Sequence, residues 1–385
     1  MPFGYVLPVI LVGLATALSL TPVRRPPLLA RLSFRAGVVL DELPQLALYL
    51  LVITTVLTLA QGDIDSPVGW VVVGVAVVVM AGLLVLIRRG QRTPEVVRRA
   101  LADAGIPAAP RRRWPWLRIV VAPYVRRRRD VTRVANLRYG DAGRRNLVDV
   151  YHHRSRPAGA PILIHLHGGG YTSGHKNSQS LPLIYHLASR GWVCLSANYR
   201  LRPAAGFLDH VTDAKNVLAW AHERAAEYGG DPATLFVSGS SAGAHLTAIC
   251  AFTQNDAGFQ PGFAHADTSL TAAVCLNGYF GEYDEGRASS PFDYVRADAP
   301  PFFIAHGDLD TEVPVEQARA FAERLREVST SDVVYVELPG GQHAFDLFHS
   351  PRFEAVIDGI DAFAASVRSS RPRPPVRSWQ TRPRS

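Results

Sequence analysis

Five residues, Gly239-Ser240-Ser241-Ala242-Gly243, carry a G-x-S-x-G pattern. The apolar run Thr234–Ser238 precedes it and the helix-like stretch Ala242–Phe252 follows. A serine at such a strand-to-helix turn projects its hydroxyl above a sheet, and the glycines two residues either side let strand and helix pack closely. Upstream lies His167-Gly168-Gly169-Gly170-Tyr171, directly after a second apolar run. Glycines there let backbone N–H groups approach a developing oxyanion unobstructed, as acyl transfer requires. The N–H groups of Gly168, Gly169 and Ala242 are the expected donors. A phosphate cradle is disfavoured, because the loop has neither G-K-[ST] nor G-x-G-x-x-G.

A nucleophilic serine needs a base, and the base needs an orienting carboxylate. The segment Phe302–Asp310 reads as an apolar strand ending in His306-Gly307-Asp308-Leu309-Asp310, and Leu338-Pro339-Gly340-Gly341-Gln342-His343 ends the next strand in a glycine-rich loop. Asp310 is the preferred acid with Asp308 as its rival. His343 is the preferred base, and His306, His349 and His245 are read as packing or capping residues. Tyr171, immediately after the loop glycines, is the one aromatic assigned to substrate binding. Phe207, Tyr279, Phe280 and Tyr283 are read as core. This chemistry calls for no metal and no organic cofactor. Cys194, Cys250 and Cys275 lie in apolar runs without C-x-x-C spacing, which excludes a disulfide framework and argues against structural zinc.

The elements that must position these groups are legible from about residue 134. Short apolar runs at 134–139, 146–152, 161–165, 193–198, 234–238, 272–276, 301–306 and 333–338 alternate with helical stretches at 208–227, 242–252, 315–328 and 353–367. Strands separated by crossover helices imply an α/β fold, a mostly parallel sheet with helices on both faces. The acid, the base and the serine then fall at carboxyl ends of strands, on one rim.

Residues 134–365 resemble the hormone-sensitive-lipase-like branch of the α/β-hydrolases, carboxylesterases and lipases with an HGGG oxyanion motif. The resemblance rests on His167–Gly170, on Asn198-Tyr199-Arg200-Leu201 with Pro203 and Asp213, on Gly239–Gly243, and on Asp310 and His343. It extends to membrane-anchored bacterial carboxylesterases with N-terminal spans. The resemblance implies an α/β-hydrolase fold, a Ser241–His343–Asp310 triad, and hydrolysis of a small-molecule or lipid ester through an acyl-enzyme. The elbow departs from the family's common G-D-S-A-G-G, with Ser240 in place of the acid and Ala244 in place of the last glycine. Amidase, arylformamidase-like and deacetylase activities use similar elbows. A catalytically silent, membrane-tethered binding protein is the alternative from a different class.

Charge and hydropathy divide the rest. The chain of 385 residues carries a formal charge of +8, with Lys176 and Lys215 as its only lysines. Residues 88–133 are strongly basic, 134–365 are net acidic, and the last twenty residues hold arginines and no acid. Uncharged stretches at 2–23, 43–62 and 66–87 each approach the roughly 20 residues that cross a hydrocarbon core, so three transmembrane helices are expected over 1–87. Arg24, Arg25, Arg31 and Arg35 lie between the first two, Asp63 and Asp65 between the second and third, and arginines follow the third. The positive-inside rule then puts the N-terminus outside and the catalytic domain, 134–367, in the cytoplasm, making the chain a multi-pass membrane protein. Residues 88–133 form a connector in which Thr93-Pro94-Glu95 starts a short helix with Thr93 as its cap. Its arginines, mixed with Trp114, Trp116 and Tyr124, suit anionic lipid better than nucleic acid. The Arg/Pro-rich segment 368–385 reads as a disordered tail. None of these patterns sets an oligomeric state.

Overall fold

The computed structural model describes residues 3–64, 66–108, 112–283 and 288–370. Asp65, Arg111 and the tail beyond residue 370 lie outside the described residues. Four helices come first: α1 (Phe3–Leu20), α2 (Pro27–Leu40), α3 (Pro44–Ala60) and α4 (Pro67–Gln91). Two belong to the connector, α5 (Thr93–Asp103) and α6 (Trp116–Val120). Then follow β1 (Val131–Arg138), β2 (Leu147–His153), β3 (Ala160–Leu166), α7 (Leu181–Ser189), β4 (Val193–Ala197), α8 (Phe207–Arg224), β5 (Gly230–Ser240), α9 (Ala242–Phe252), β6 (Ala272–Leu276), β7 (Phe302–Gly307), α10 (Val315–Val328), β8 (Val333–Leu338) and α11 (Pro351–Ser369).

The eight strands form one sheet in the order β1-β2-β4-β3-β5-β6-β7-β8. β2 runs antiparallel to β1 and β4, and every other pair is parallel. Central strands buried on both faces need continuous apolar runs, and β3, β4, β6 and β7 are buried along their whole length. Register aligns the strand ends that matter: Leu166 pairs with Gly239, Ser240 with Leu276, and Gly307 with Leu338. The loops after β3, β5, β7 and β8 therefore leave the sheet on one rim. Both lysines are interior. Lys176 pairs with buried Asp149 at 2.7 Å, while Lys215, fully buried, donates to the carbonyl of Thr253 and to Gln260 Oε1.

The N-terminal helices depart from expectation in two ways. The segment between the first two apolar stretches is the helix α2, not a loop, and it meets α3 in a bend of 80°. Leu43, before α3, is outside helical geometry (φ −129°, ψ 42°) and Pro44 opens the helix, so the chain turns there rather than continuing straight. Among the described residues one helix, Pro67–Asp103, is long and apolar enough to cross a membrane, or two if the bent α2–α3 pair counts as a single span. At 18 residues, α1 is about 27 Å long, short of a hydrocarbon core of roughly 30 Å. It packs closely on α4: a Cβ on Gly82 would meet Thr16 Cγ2 at 2.9 Å.

The connector is also more structural than its composition implied. Thr93 caps nothing. Arg92 before it is already helical, α4 runs on into α5, and the Thr93 hydroxyl is buried without a partner. Arg112 turns inward to Glu354 at 2.5 Å and to Asp358, which also accepts from Trp114 Nε1 at 2.8 Å. The outward side mixes apolar and basic residues: Trp116, Leu117, Val121, Tyr124 and Val125 are exposed, and so are Arg113, Arg127 and Arg129. At the other end α11 runs through Arg368 to Ser369, two residues into the segment expected to be a tail.

Candidate active site

β5 ends at Ser240 and α9 begins at Ala242, leaving Ser241 alone at the turn with φ 54° and ψ −118°. A non-glycine residue at positive φ is strained and persists only where its surroundings hold it there. The close packing on both sides is explicit. A Cβ on Gly239 would lie 2.1 Å from the carbonyl oxygen of Gly243, and one on Gly243 would lie 2.1 Å from that of Leu166.

The other two groups arrive from neighbouring strand ends. Ser241 Oγ lies 2.9 Å from His343 Nε2, and His343 Nδ1 lies 2.6 Å from Asp310 Oδ2. The other carboxylate oxygen, Oδ1, accepts the backbone N–H groups of Glu312 and Val313 at 2.9 and 2.8 Å. Burial opposes ionisation of Asp310, but the charge and hydrogen bonds of His343 and His306 outweigh it, and the carboxyl is held well below its ordinary range. Burial likewise disfavours a charged His343, yet Asp310 beside it wins and raises the imidazole above its ordinary value. Gln342 braces the arrangement from outside: its Oε1 accepts from the N–H of Thr311 at 2.7 Å and of His343 at 3.0 Å, tying the acid loop to the base loop.

The rival residues are occupied elsewhere. His306 Nε2 donates to the carbonyl of Val313 at 3.0 Å and lies 3.2 Å from Asp310, behind the acid. His349 pairs with Glu354, and His245 meets the Tyr171 hydroxyl at 2.7 Å, where burial pushes its imidazole down to about 4. Asp308 is not the carboxylate at His343. Burial raises its carboxyl, and one of its oxygens is buried without a partner.

Two expected roles change. The N–H of Gly168 donates to Gln179 Oε1 at 2.5 Å, so it is committed and unavailable to an oxyanion. The N–H groups of Gly169, Gly170 and Ala242 have no hydrogen-bond partner among the described residues. Gly168 is needed instead for close approach: a Cβ there would lie 2.9 Å from Ser241 Cβ. Tyr171 is 2% exposed, and its hydroxyl donates to the carbonyl of Ala242 at 3.1 Å. Its ring is sandwiched among His210, Tyr199 and Tyr283, which makes it a prop beneath the elbow rather than an open pocket wall.

Sequence reasoning missed Asp346. Its carboxylate is fully buried and accepts from the hydroxyls of Ser240 and Ser180, each at 2.5 Å. Burial pushes this carboxyl up, with the two hydroxyls opposing. The signal was Ser240 itself. The carboxylate absent from the elbow is supplied by a residue three positions after His343.

The site is closed. Ser241 and His343 are 9% and 8% exposed. An apolar cavity of about 670 Å³ lies elsewhere, lined by Val97, Leu101, Trp114 and Trp116 among others and not by Ser241 or His343.

A family model described as BD-FAE matches residues 148–279 and 264–325, which include Ser241 and Asp310 but not His343. The chain is 40% identical over 274 residues to the probable carboxylic ester hydrolase LipM of Mycobacterium tuberculosis, covering 62% of each protein. It is 37% identical over 280 residues to the esterase LipC of the same organism, covering 64% of this chain and 67% of LipC. It thus spans somewhat under two thirds of LipM and 65% of the esterase LipQ. Among solved structures, the butyrate-bound esterase 2 of Thermogutta terrifontis is 26% identical with a TM-score of 0.54, over 60% of this chain and 93% of that one. Fold, elbow and relatives agree: the chain belongs to the hormone-sensitive-lipase-like α/β-hydrolases of the BD-FAE group.

Proposed function

We propose that this chain is a membrane-anchored serine carboxylic ester hydrolase acting through an acyl-enzyme. The observation that supports the reading is the hydrogen-bonded line from Ser241 Oγ through His343 to Asp310, set on a positive-φ elbow. His343 Nε2 takes the serine proton as Oγ attacks the acyl carbonyl. The N–H groups of Gly169, Gly170 and Ala242 receive the oxyanion. Asp310 keeps the proton on Nδ1 and stabilises the imidazolium. As the tetrahedral intermediate collapses, the C–O bond to the alcohol breaks and His343 returns the proton to the leaving oxygen. Water, deprotonated by His343, then attacks the acyl-enzyme and releases the acid and Ser241.

Relatives named as ester hydrolases support ester over amide chemistry. The apolar helix Pro67–Asp103 supports a membrane anchor. The arginine distribution supports a cytoplasmic catalytic domain, and the outward Trp116, Leu117 and Tyr124 support contact of the connector with lipid. The test is hydrolysis of p-nitrophenyl esters of increasing acyl length by the detergent-solubilised chain beside Ser241→Ala. Turnover abolished by the substitution is expected. Equal turnover in both, or none on any ester, would overturn the reading.

A further inference from the structure

The helix α2 lies across the catalytic loops. Phe34 meets the ring of His343 edge-on, with centroids 6.0 Å apart and planes at 66°. A Cβ on Gly37 would lie 3.1 Å from Cγ of Gln342, the residue before the base. Thr311, next to the acid, donates from Oγ1 to the carbonyl of Ala30 at 3.5 Å. Arg24, just before the helix, reaches Glu316 at 3.3 Å and the carbonyl of Asp308 at 3.4 Å. One helix thus touches the loops of both acid and base, and packs on the ring of the histidine that is hydrogen-bonded to the recessed Ser241.

The same helix is turned inside out for a water-soluble surface. Its inward stripe is small and partly polar, with Ala30, Ser33 and Gly37 buried. Its outward side carries Leu28 at 69% exposure, Leu32 at 43% and Val39 at 38%, interspersed with exposed Arg31 and Arg35. An apolar outward face rimmed by cations fits a bilayer interface, where leucines enter the acyl region and arginines meet phosphate. That face does not stand alone. α3 follows directly through the bend, and Gln45 Nε2 donates to the carbonyl of Ile119 at 2.8 Å, joining this corner to α6 and its exposed Leu117 and Val121.

We propose that α2 is a membrane-embedded cap over Ser241, and that the substrate is a long-chain acyl ester taken laterally from the lipid leaflet as the cap moves aside. The proposal rests on the serine esterase reading and adds the substrate's class and route. A small water-dissolved ester needs no bilayer to reach Ser241, whereas a bilayer-dissolved ester shares the medium that surrounds the cap's outer face.

The test uses the full chain in vesicles of phosphatidylcholine and phosphatidylglycerol, with p-nitrophenyl acetate as the water-soluble ester and dioleoylglycerol as the bilayer-dissolved one. Leu28→Gln with Leu32→Gln is expected to lower dioleoylglycerol turnover by about tenfold or more, the order set by withdrawing two leucines from lipid. Acetate turnover should stay within about twofold, as for surface changes away from a site. Loss of both activities together, or of neither, would overturn the cap. In a second arm, Ala30→Cys with Thr311→Cys is bridged by a short, reducible bis-thiol reagent. The native cysteines are buried and do not compete. Bridging is expected to suppress dioleoylglycerol turnover and reduction to restore it; unchanged turnover when bridged would overturn the proposal. Failure of the esterase reading is separable, because the unsubstituted chain would then hydrolyse neither ester.

Discussion

Replacing Asp310 with Asn tests the acid through its hydrogen-bond geometry. Asp310 Oδ1 faces two backbone donors, the N–H groups of Glu312 and Val313, so the amide oxygen of an asparagine must occupy that side. Its NH2 then points at His343 Nδ1 from the position Oδ2 holds at 2.6 Å. Nδ1 must accept, the ring proton moves to Nε2, and Nε2 faces Ser241 as a donor that cannot take its proton. A charge-assisted hydrogen bond to a buried group contributes about 1.5–3 kcal/mol. Tautomer reversal brings the total to about 4–5.5 kcal/mol, a fall of about 10³–10⁴ in kcat. The pH profile has a sign as well. Hydrolysis needs neutral His343, so activity rises with pH through its pKa. Asp310 raises that pKa, which puts the acid limb of the unsubstituted enzyme above the ordinary histidine value of about 6.5. With the charge removed, burial is left to dominate and the limb moves to lower pH. The assay is kcat/KM for p-nitrophenyl butyrate across pH about 4–9, with circular dichroism to verify folding. Activity within tenfold of the unsubstituted enzyme, or an acid limb that stays in place, would refute the reasoning, as would a larger loss from Asp308→Asn.

Three further outcomes follow from the packing. Gly168→Ala puts a Cβ 2.8 Å from the carbonyl oxygen of Ser240 and 2.9 Å from Ser241 Cβ, so kcat should fall by about 100-fold in a folded protein; unchanged kcat would contradict the close approach. Asp346→Ala strips the acceptor from the buried hydroxyls of Ser180 and Ser240 and should cost about 2–4 kcal/mol in denaturant unfolding, whereas a loss below 1 kcal/mol would show that they find other partners. Arg352→Ala leaves Glu42, at the α2–α3 bend, buried without its ionic partner, and thermal unfolding in detergent should report a loss of about 3–5 kcal/mol.

The sequence was most legible where the determinants are local. Ser241 sits between two glycines, on a strand and helix that both announce themselves, so elbow, strand ends and rim follow from one stretch of chain. Asp310 and His343 were singled out because each lies in the short loop that follows a strand of the same sheet. Tyr171 was misassigned because adjacency in sequence says nothing of direction; at φ 61° the chain turns its ring down beneath the elbow. The commitment of the Gly168 N–H depends on Gln179, eleven residues on, with no pattern to mark it. Asp346 lies 106 residues from the Ser240 it serves. α2 was left between two spans because its arginines interrupt the apolar run, while its pattern, small residues inward and leucines outward, inverts the apolar-inward stripe by which an amphipathic helix is recognised.

The most direct measurement of the central claim is active-site labelling with a fluorophosphonate, followed by peptide mapping of the full chain in detergent. One adduct per chain is expected, on Ser241, with ester hydrolysis lost in step with labelling. An adduct elsewhere, or hydrolysis that persists in fully labelled protein, would contradict it.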